Sequence, residues 1–264
     1  MSRFLPEYIK ALILDMDGVL WKGEAPIGNL PVIFDRIHTC GLKVVFATNN
    51  GSQTPDQYVE RFTRLGINVE PWQIVTSAMG VASLLERRFP FGGPVFAIGG
   101  AGVITALQDK GFELLSIENA EQAQAVVFGI DVQINFEKMR EATLLVRRGV
   151  PFYATNPDKT FPTPRGEIPG AGAWISVIIT ATGVEPIYAG KPAPYLFEIA
   201  RERLGTKKEQ TLVVGDRLET DIAGGQAADC PVALVLSGVS RQEQAEMWKP
   251  PVNLIAEDLA QLVE

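Results

Sequence analysis

Four short polar clusters hold the residue types that do chemistry. Asp15 and Asp17 stand two residues apart just after the apolar run Ala11 to Leu14, and Gly18 follows them. Thr48, Asn49 and Asn50 follow Leu42 to Ala47, Lys191 lies in Gly190-Lys191-Pro192, and Asp216 and Asp221 fall in the stretch after Thr211 to Val214. Each has an ordinary reading when taken alone. Asp-x-Asp-Gly is turn chemistry, Thr-Asn-Asn suits a helix cap, acids near a helix start favour its dipole, and a lysine before proline is commonly solvated. Their placement adds more, because three of the four follow an apolar run of strand length. In a parallel sheet all strand ends open at one edge, where ligands bind, so the clusters can converge.

Gathered in one place, these groups would set four carboxylates against one ammonium. Each like-charge contact near 4 Å costs about 4 kcal/mol at an effective dielectric of 20, so such a site calls for a divalent cation. Ligation by oxygen alone, from a few carboxylates with positions left for water and substrate, is what Mg²⁺ prefers. The Thr48 hydroxyl, the amides after it and the Lys191 ammonium suit the oxygens of a phosphate.

The elements that must position these groups follow from the apolar spacing. Pro31 to Gly41 and Tyr58 to Leu65 read as helices closed by Gly41 and Gly66, and they alternate with buried strands at Ala11 to Leu14 and Leu42 to Ala47. Strand, helix, strand, helix implies parallel pairing through right-handed crossovers. From about Gly80 a second α/β unit begins. Its strands are expected at Pro94 to Ile98, Ala125 to Ile130 and Pro151 to Thr155, and its helices at Val103 to Lys110 and Phe136 to Arg148. Thr155 to Gly172, rich in Pro and Gly and containing Pro164, reads as a long ordered loop, and such loops are usually functional. Ile187 to Ala189, the helical Tyr195 to Leu204, and the strands Thr211 to Val214 and Val232 to Leu236 return to the first pattern, ahead of a polar, partly helical tail. The fold expected is α/β: a doubly wound, Rossmann-like parallel-sheet core formed by residues 1–79 and 185–264, with an α/β cap inserted at 80–184.

Composition bounds the function further. A net charge of −7 opposes binding to nucleic acid or to an anionic membrane. The two cysteines, Cys40 and Cys230, are too few for a disulfide framework or a zinc cluster and suit a reducing compartment. No segment has the apolar length of a signal peptide core or a membrane span, so a soluble cytoplasmic protein is expected. His38 is the only histidine and falls in a predicted helix, which argues against imidazole-ligated two-metal sites and Ser-His-Asp triads. Neither cysteine has an arginine six residues on, as a cysteine phosphate loop needs. Gly99-Gly100-Ala101-Gly102 follows a strand, but counting from Gly100 puts Thr105 where a dinucleotide fingerprint has its third glycine, so a tight turn is the better reading.

In order, Asp15-x-Asp17-Gly18-Val19-Leu20, Thr48-Asn49-Asn50, Gly190-Lys191-Pro192 and Gly215-Asp216 with Asp221 resemble the four motifs of the haloacid dehalogenase-like hydrolases. The insertion carrying Ala154-Thr155-Asn156-Pro157-Asp158 resembles subfamily IIA, which includes 4-nitrophenyl phosphatases and nucleotide phosphatases. The resemblance spans nearly the whole chain with no motif residue missing. It implies a Mg²⁺-dependent phosphatase of small phosphorylated metabolites that works through an aspartyl-phosphate. Asp15 would be the nucleophile and Asp17 the general acid and base. Thr48, Asn49, Lys191 and Asp158 would bind phosphate or substrate. Asp15, Asp216 and the Asp17 carbonyl would hold the metal, with Asp221 orienting metal-bound water or Lys191 from behind. The insertion would cap the site, with Asn156, Pro157, Asp158, Lys159 and Arg165 in its specificity loop, and it leaves room for a homodimer formed through the cap. A phosphotransferase or phosphomutase on the same fold, or a receiver-like phospho-aspartate module, are the alternatives. The particular phosphomonoester is not written in the motifs.

Overall fold

The computed structural model describes residues 5–163 and 165–264, with the backbone alone for Pro162 and Thr163; Pro164 of the Pro/Gly-rich stretch lies outside the described residues. The chain forms two compact units. The first comprises Met1–Thr48, Pro55–Val75 and Lys191–Glu264, and the second comprises Asn49–Thr54 and Thr76–Gly190.

The first unit is built on a six-stranded sheet. Its order is Leu254–Ala256, Val232–Val235, Thr211–Gly215, Ala11–Leu14, Lys43–Thr48, Ile74–Thr76. Ala11–Leu14 runs parallel to both of its neighbours, with Leu14 opposite Val214 on one side and Phe46 on the other. All four of its residues are buried, as an apolar strand sandwiched on both faces should be. Alternate side chains separate to the two faces. Leu12, Leu14, Val44, Phe46, Leu212 and Val214 join one core cluster, while Ala11, Ile13, Val45, Ala47 and Val213 join another.

Helix Leu30–Thr39 buries Leu30, Ile33 and Ile37, and helix Pro55–Arg64 buries Tyr58 and Phe62, all in the first cluster. Helix Tyr195–Leu204 closes the other with Leu196, Phe197, Ala200 and Leu204. Phe46 lies between Phe34 and Phe62, with ring centroids 5.8 and 4.4 Å away. Truncating such a ring costs about 3–5 kcal/mol. Leu254–Ala256 is a further strand within the stretch expected to be a polar, partly helical tail.

The second unit has its own sheet, ordered Ile187–Tyr188, Phe152–Ala154, Ala125–Phe128, Gly93–Ile98, Phe112–Leu114, with every pairing parallel. Helices Ser77–Arg88 and Ala101–Asp109 supply one cluster, and Phe136–Arg147 and Ala171–Thr182 the other. The stretch expected to be a long ordered loop carries an antiparallel hairpin, Thr160–Thr163 with Gly166–Pro169, and runs into the helix starting at Ala171. Prolines obscure that hairpin in the sequence, yet a two-stranded ribbon has outward positions that need no amide donor. At the Gly99–Gly102 turn, a side chain on Gly102 would collide with the Gly51 and Gln53 carbonyls, so close backbone packing accounts for that glycine.

Candidate active site

Strand register brings the first unit's polar residues to one edge. The Asp15 amide continues the ladder by donating to the Val214 carbonyl at 2.9 Å, so Asp15 leaves the sheet beside the strand that ends at Gly215 and delivers Asp216. Thr48 closes the neighbouring strand on the other side and is buried beside Tyr58, to which it is hydrogen-bonded. Beyond Asp216 the backbone opens into a wide turn, Leu218–Ile222, in which the Ile222 amide donates five residues back to Arg217 at 3.3 Å. Widened turns of this kind are frequent at functional sites. This one folds Asp221 against Gly215, where a side chain would have no space.

Lys191 is the hub. Its ammonium donates to Asp15 Oδ1 at 2.5 Å, to Asp221 Oδ1 at 2.6 Å and to the Ala47 carbonyl at 3.0 Å, and the side chain is only 3% exposed. Burial alone would push this ammonium toward losing its proton, but Asp15 and Asp221 reverse the balance and hold it above its ordinary range.

Oxygens of Asp15, Asp216 and Asp221 all lie within 4.8 Å of one another. Burial, reinforced by Asp221 and Asp216 against the opposing Lys191 charge, raises the Asp15 carboxyl well above the usual carboxylate range. Asp216 is pushed up to about 6, first by burial and then by Asp221. The donor set is oxygen only, buried and in excess of its single counter-charge, and this fits a hard divalent cation such as Mg²⁺.

Two glycines hold Asp216 from either side, since a side chain on Gly18 or Gly238 would fall on its carboxylate. Gly18 also has φ +87°, a conformation that glycine adopts without strain. The Val239 amide donates to Asp216 Oδ2 at 2.8 Å, and Ser237 Oγ donates to the Gly18 carbonyl at 2.7 Å.

Asp17 stands slightly apart, exposed at the rim. Its Oδ1 accepts the Trp21 indole N–H at 2.9 Å, and the Arg61 guanidinium lies 4.0 Å from the centre of the Trp21 ring. Although the residue as a whole is exposed, protein packed around its carboxyl raises it above its ordinary range, outweighing Arg61 and the Trp21 hydrogen bond. Trp21, Arg61 and Tyr58 had no place in the motif reading. The one available signal was a tryptophan four residues after an aspartate turn, which reads first as core.

The second unit holds the remaining expected residues. Asn49 Nδ2 donates to both Asp158 oxygens at 3.2–3.3 Å, and the Asn49 carbonyl accepts from Ser77 Oγ at 2.5 Å and from Asn156 Nδ2 at 2.7 Å. Asn156 is buried, and its Oδ1 accepts the Asp158 amide at 3.0 Å. The loop residues Asn156 and Asp158 thus meet Asn49.

Family models of the haloacid dehalogenase-like hydrolases match residues 12–113 and 188–262. An acid sugar phosphatase of Staphylococcus aureus is 36% identical over 254 residues, covering 96% of both chains. The chain belongs to the haloacid dehalogenase-like hydrolases. Among solved members, a p-nitrophenyl phosphatase from Archaeoglobus fulgidus superposes with a TM-score of 0.87 at 31% identity, covering 97% of this chain and 98% of the other. A glycerol phosphate phosphatase from Mycobacterium tuberculosis, solved with magnesium, gives 0.92 at 33% identity over 99% and 78% of the two chains. These likenesses place this haloacid dehalogenase-like hydrolase in subfamily IIA, and the Rossmann-like α/β fold is the one its neighbours share.

Proposed function

We propose that this protein is a Mg²⁺-dependent phosphatase that hydrolyses small phosphomonoesters through an aspartyl-phosphate on Asp15. The observation that carries the reading is the meeting of Asp15, Asp216 and Asp221 oxygens within 4.8 Å around a buried Lys191. The names of the relatives, an acid sugar phosphatase and p-nitrophenyl and glycerol phosphate phosphatases, support it.

In this reading Asp15, Asp216 and the Asp17 backbone carbonyl hold the metal, with Asp221 bracing Lys191. Bound Mg²⁺ supplies the positive charge that offsets the carboxylates and the phosphoryl oxygens. An Asp15 carboxylate oxygen attacks phosphorus in line, the ester oxygen departs with the bonding pair, and Asp17 gives that oxygen its proton. The resulting carboxylate of Asp17 then takes a proton from water as the water oxygen attacks phosphorus, releasing inorganic phosphate and free Asp15. The Thr48 hydroxyl and Asn49 amide hold phosphoryl oxygens, and Lys191 offsets the charge of Asp15 and of the transferring group.

Asn49 and Asp158 are assigned to substrate binding, with Asp158→Ala expected to alter preference among leaving groups. The proposal includes a cytoplasmic setting, which the two cysteines suit, and no nucleic-acid or membrane partner, which the net charge of −7 opposes. No helix among the described residues is long and apolar enough to cross a membrane. Pairing of two copies through the second unit belongs to the same proposal; its Ala171–Thr182 helix carries no charged residue and exposes Val177.

The test is phosphate release from 4-nitrophenyl phosphate with and without EDTA, alongside Asp15→Asn. The reading expects Mg²⁺-restored turnover and a folded, inactive variant. Turnover that survives complete chelation, or wild-type rates from Asp15→Asn, would overturn it.

A further inference from the structure

The turn after Asp17 is tied more tightly than a connection needs. The Met16 carbonyl accepts the amides of Val19, Leu20 and Trp21 at 3.3, 2.8 and 3.3 Å, and the Gly18 amide donates to the Trp21 carbonyl at 2.8 Å. This closed loop returns the Trp21 side chain to the aspartate that begins it. The indole is fully buried. Its ring meets Phe62 edge-on with centroids 5.2 Å apart, and Arg61, from the same Pro55–Arg64 helix, covers it while also donating to the Gly23 carbonyl.

A buried indole N–H needs an acceptor, and here it takes Asp17 Oδ1. Rotation of an aspartate carboxyl about its last bond is otherwise broad. A rigid donor on one oxygen fixes the plane of the group, and the second oxygen makes no hydrogen bond among the described residues. Trp21 therefore has the geometry to aim Asp17, with Phe62 and Arg61 to keep the indole from swinging.

We propose that Trp21 is a positioning residue for proton transfer: held by Phe62 and Arg61, its indole N–H fixes one Asp17 oxygen so that the other faces the departing ester oxygen. The inference rests on the assignment of Asp17 as general acid given above. Trp21 touches neither substrate nor metal in this scheme and acts only through Asp17.

The readout is the dependence of kcat/KM on leaving group, because that constant covers every step through departure of the ester oxygen. A basic leaving oxygen needs the proton, while 4-nitrophenolate departs well without it. Trp21→Phe keeps an aromatic body against Phe62 and removes the donor. It should lower kcat/KM for phenyl phosphate about tenfold more than for 4-nitrophenyl phosphate, part of the range general acids contribute. Phe62→Leu, which keeps the indole and Arg61 but removes the ring that braces it, should bias the series in the same direction and serves as the test should Trp21→Phe not fold.

Asp17→Asn calibrates the series. A leaving-group bias in Asp17→Asn with a uniform loss in Trp21→Phe, or in Phe62→Leu where that variant serves as the test, overturns the role of Trp21 alone. No bias in Asp17→Asn overturns the acid assignment beneath it.

Discussion

Replacing Asp216 with asparagine should stabilise the metal-free protein while disabling it. The carboxyl of Asp216 has an ordinary value of 3.8 in the unfolded chain and is pushed up to about 6 in the folded one, so the folded state holds the proton more tightly. Stability associated with that proton is fully present below pH 3.8 and is lost as pH rises through about 6. That difference corresponds to about 3 kcal/mol at pH 7 and above, and roughly half of that at pH 5. Asparagine keeps the shape between Gly18 and Gly238, still accepts from the Val239 amide, and offers its NH₂ to the neighbouring carboxylates, while the repelling charge is gone.

At about 2–4 °C per kcal/mol for a chain of this size, Tm at pH 8 should rise by roughly 6–12 °C. The assay is thermal unfolding in EDTA at pH 5 and pH 8, repeated with added Mg²⁺. The variant's advantage should shrink at pH 5, and Mg²⁺ should raise the wild type and narrow the gap. An Asp216→Asn protein that melts at or below the wild-type temperature at pH 8 in EDTA would refute the reasoning that uncompensated negative charge strains this site.

Lys191→Met should act in the opposite sense. It leaves Asp15 and Asp221 buried without their shared counter-charge and should cost about 3–5 kcal/mol, read from urea unfolding, together with loss of phosphate release. Gly18→Ala places a methyl group on the Asp216 carboxylate at a positive φ, and should cost about 1–3 kcal/mol and weaken Mg²⁺ binding measured by calorimetry.

The alternation of apolar runs and helical spacing was enough to anticipate the strands that carry Asp15, Thr48 and Asp216, because buried parallel strands are continuous hydrocarbon. Parallel pairing also implied that distant carboxylates would share an edge, and Asp15 and Asp221 do meet on Lys191. Other features depend on side-chain direction that spacing does not record. The widened turn at Leu218–Ile222 carries Asp221 back onto Gly215, and nothing in its composition distinguishes it from an ordinary first helical turn. Trp21 reads as one more core residue until its N–H is followed to Asp17. The Thr160–Pro169 hairpin hides behind proline, which is usually a signal of loop.

The central strand has consequences for how the protein is made. Ala11–Leu14 and its neighbour Lys43–Thr48 are translated close together, yet its other neighbour, Thr211–Gly215, follows about 160 residues after Thr48. At about 5–20 residues per second, that strand waits roughly 8–30 s with one side bare. Such an edge is a template for wrong pairing, so nascent chains should lean on chaperones during this interval. A premature stop anywhere before Lys191 would leave Asp15 without its cationic partner, so the pair cannot assemble until translation has passed that codon.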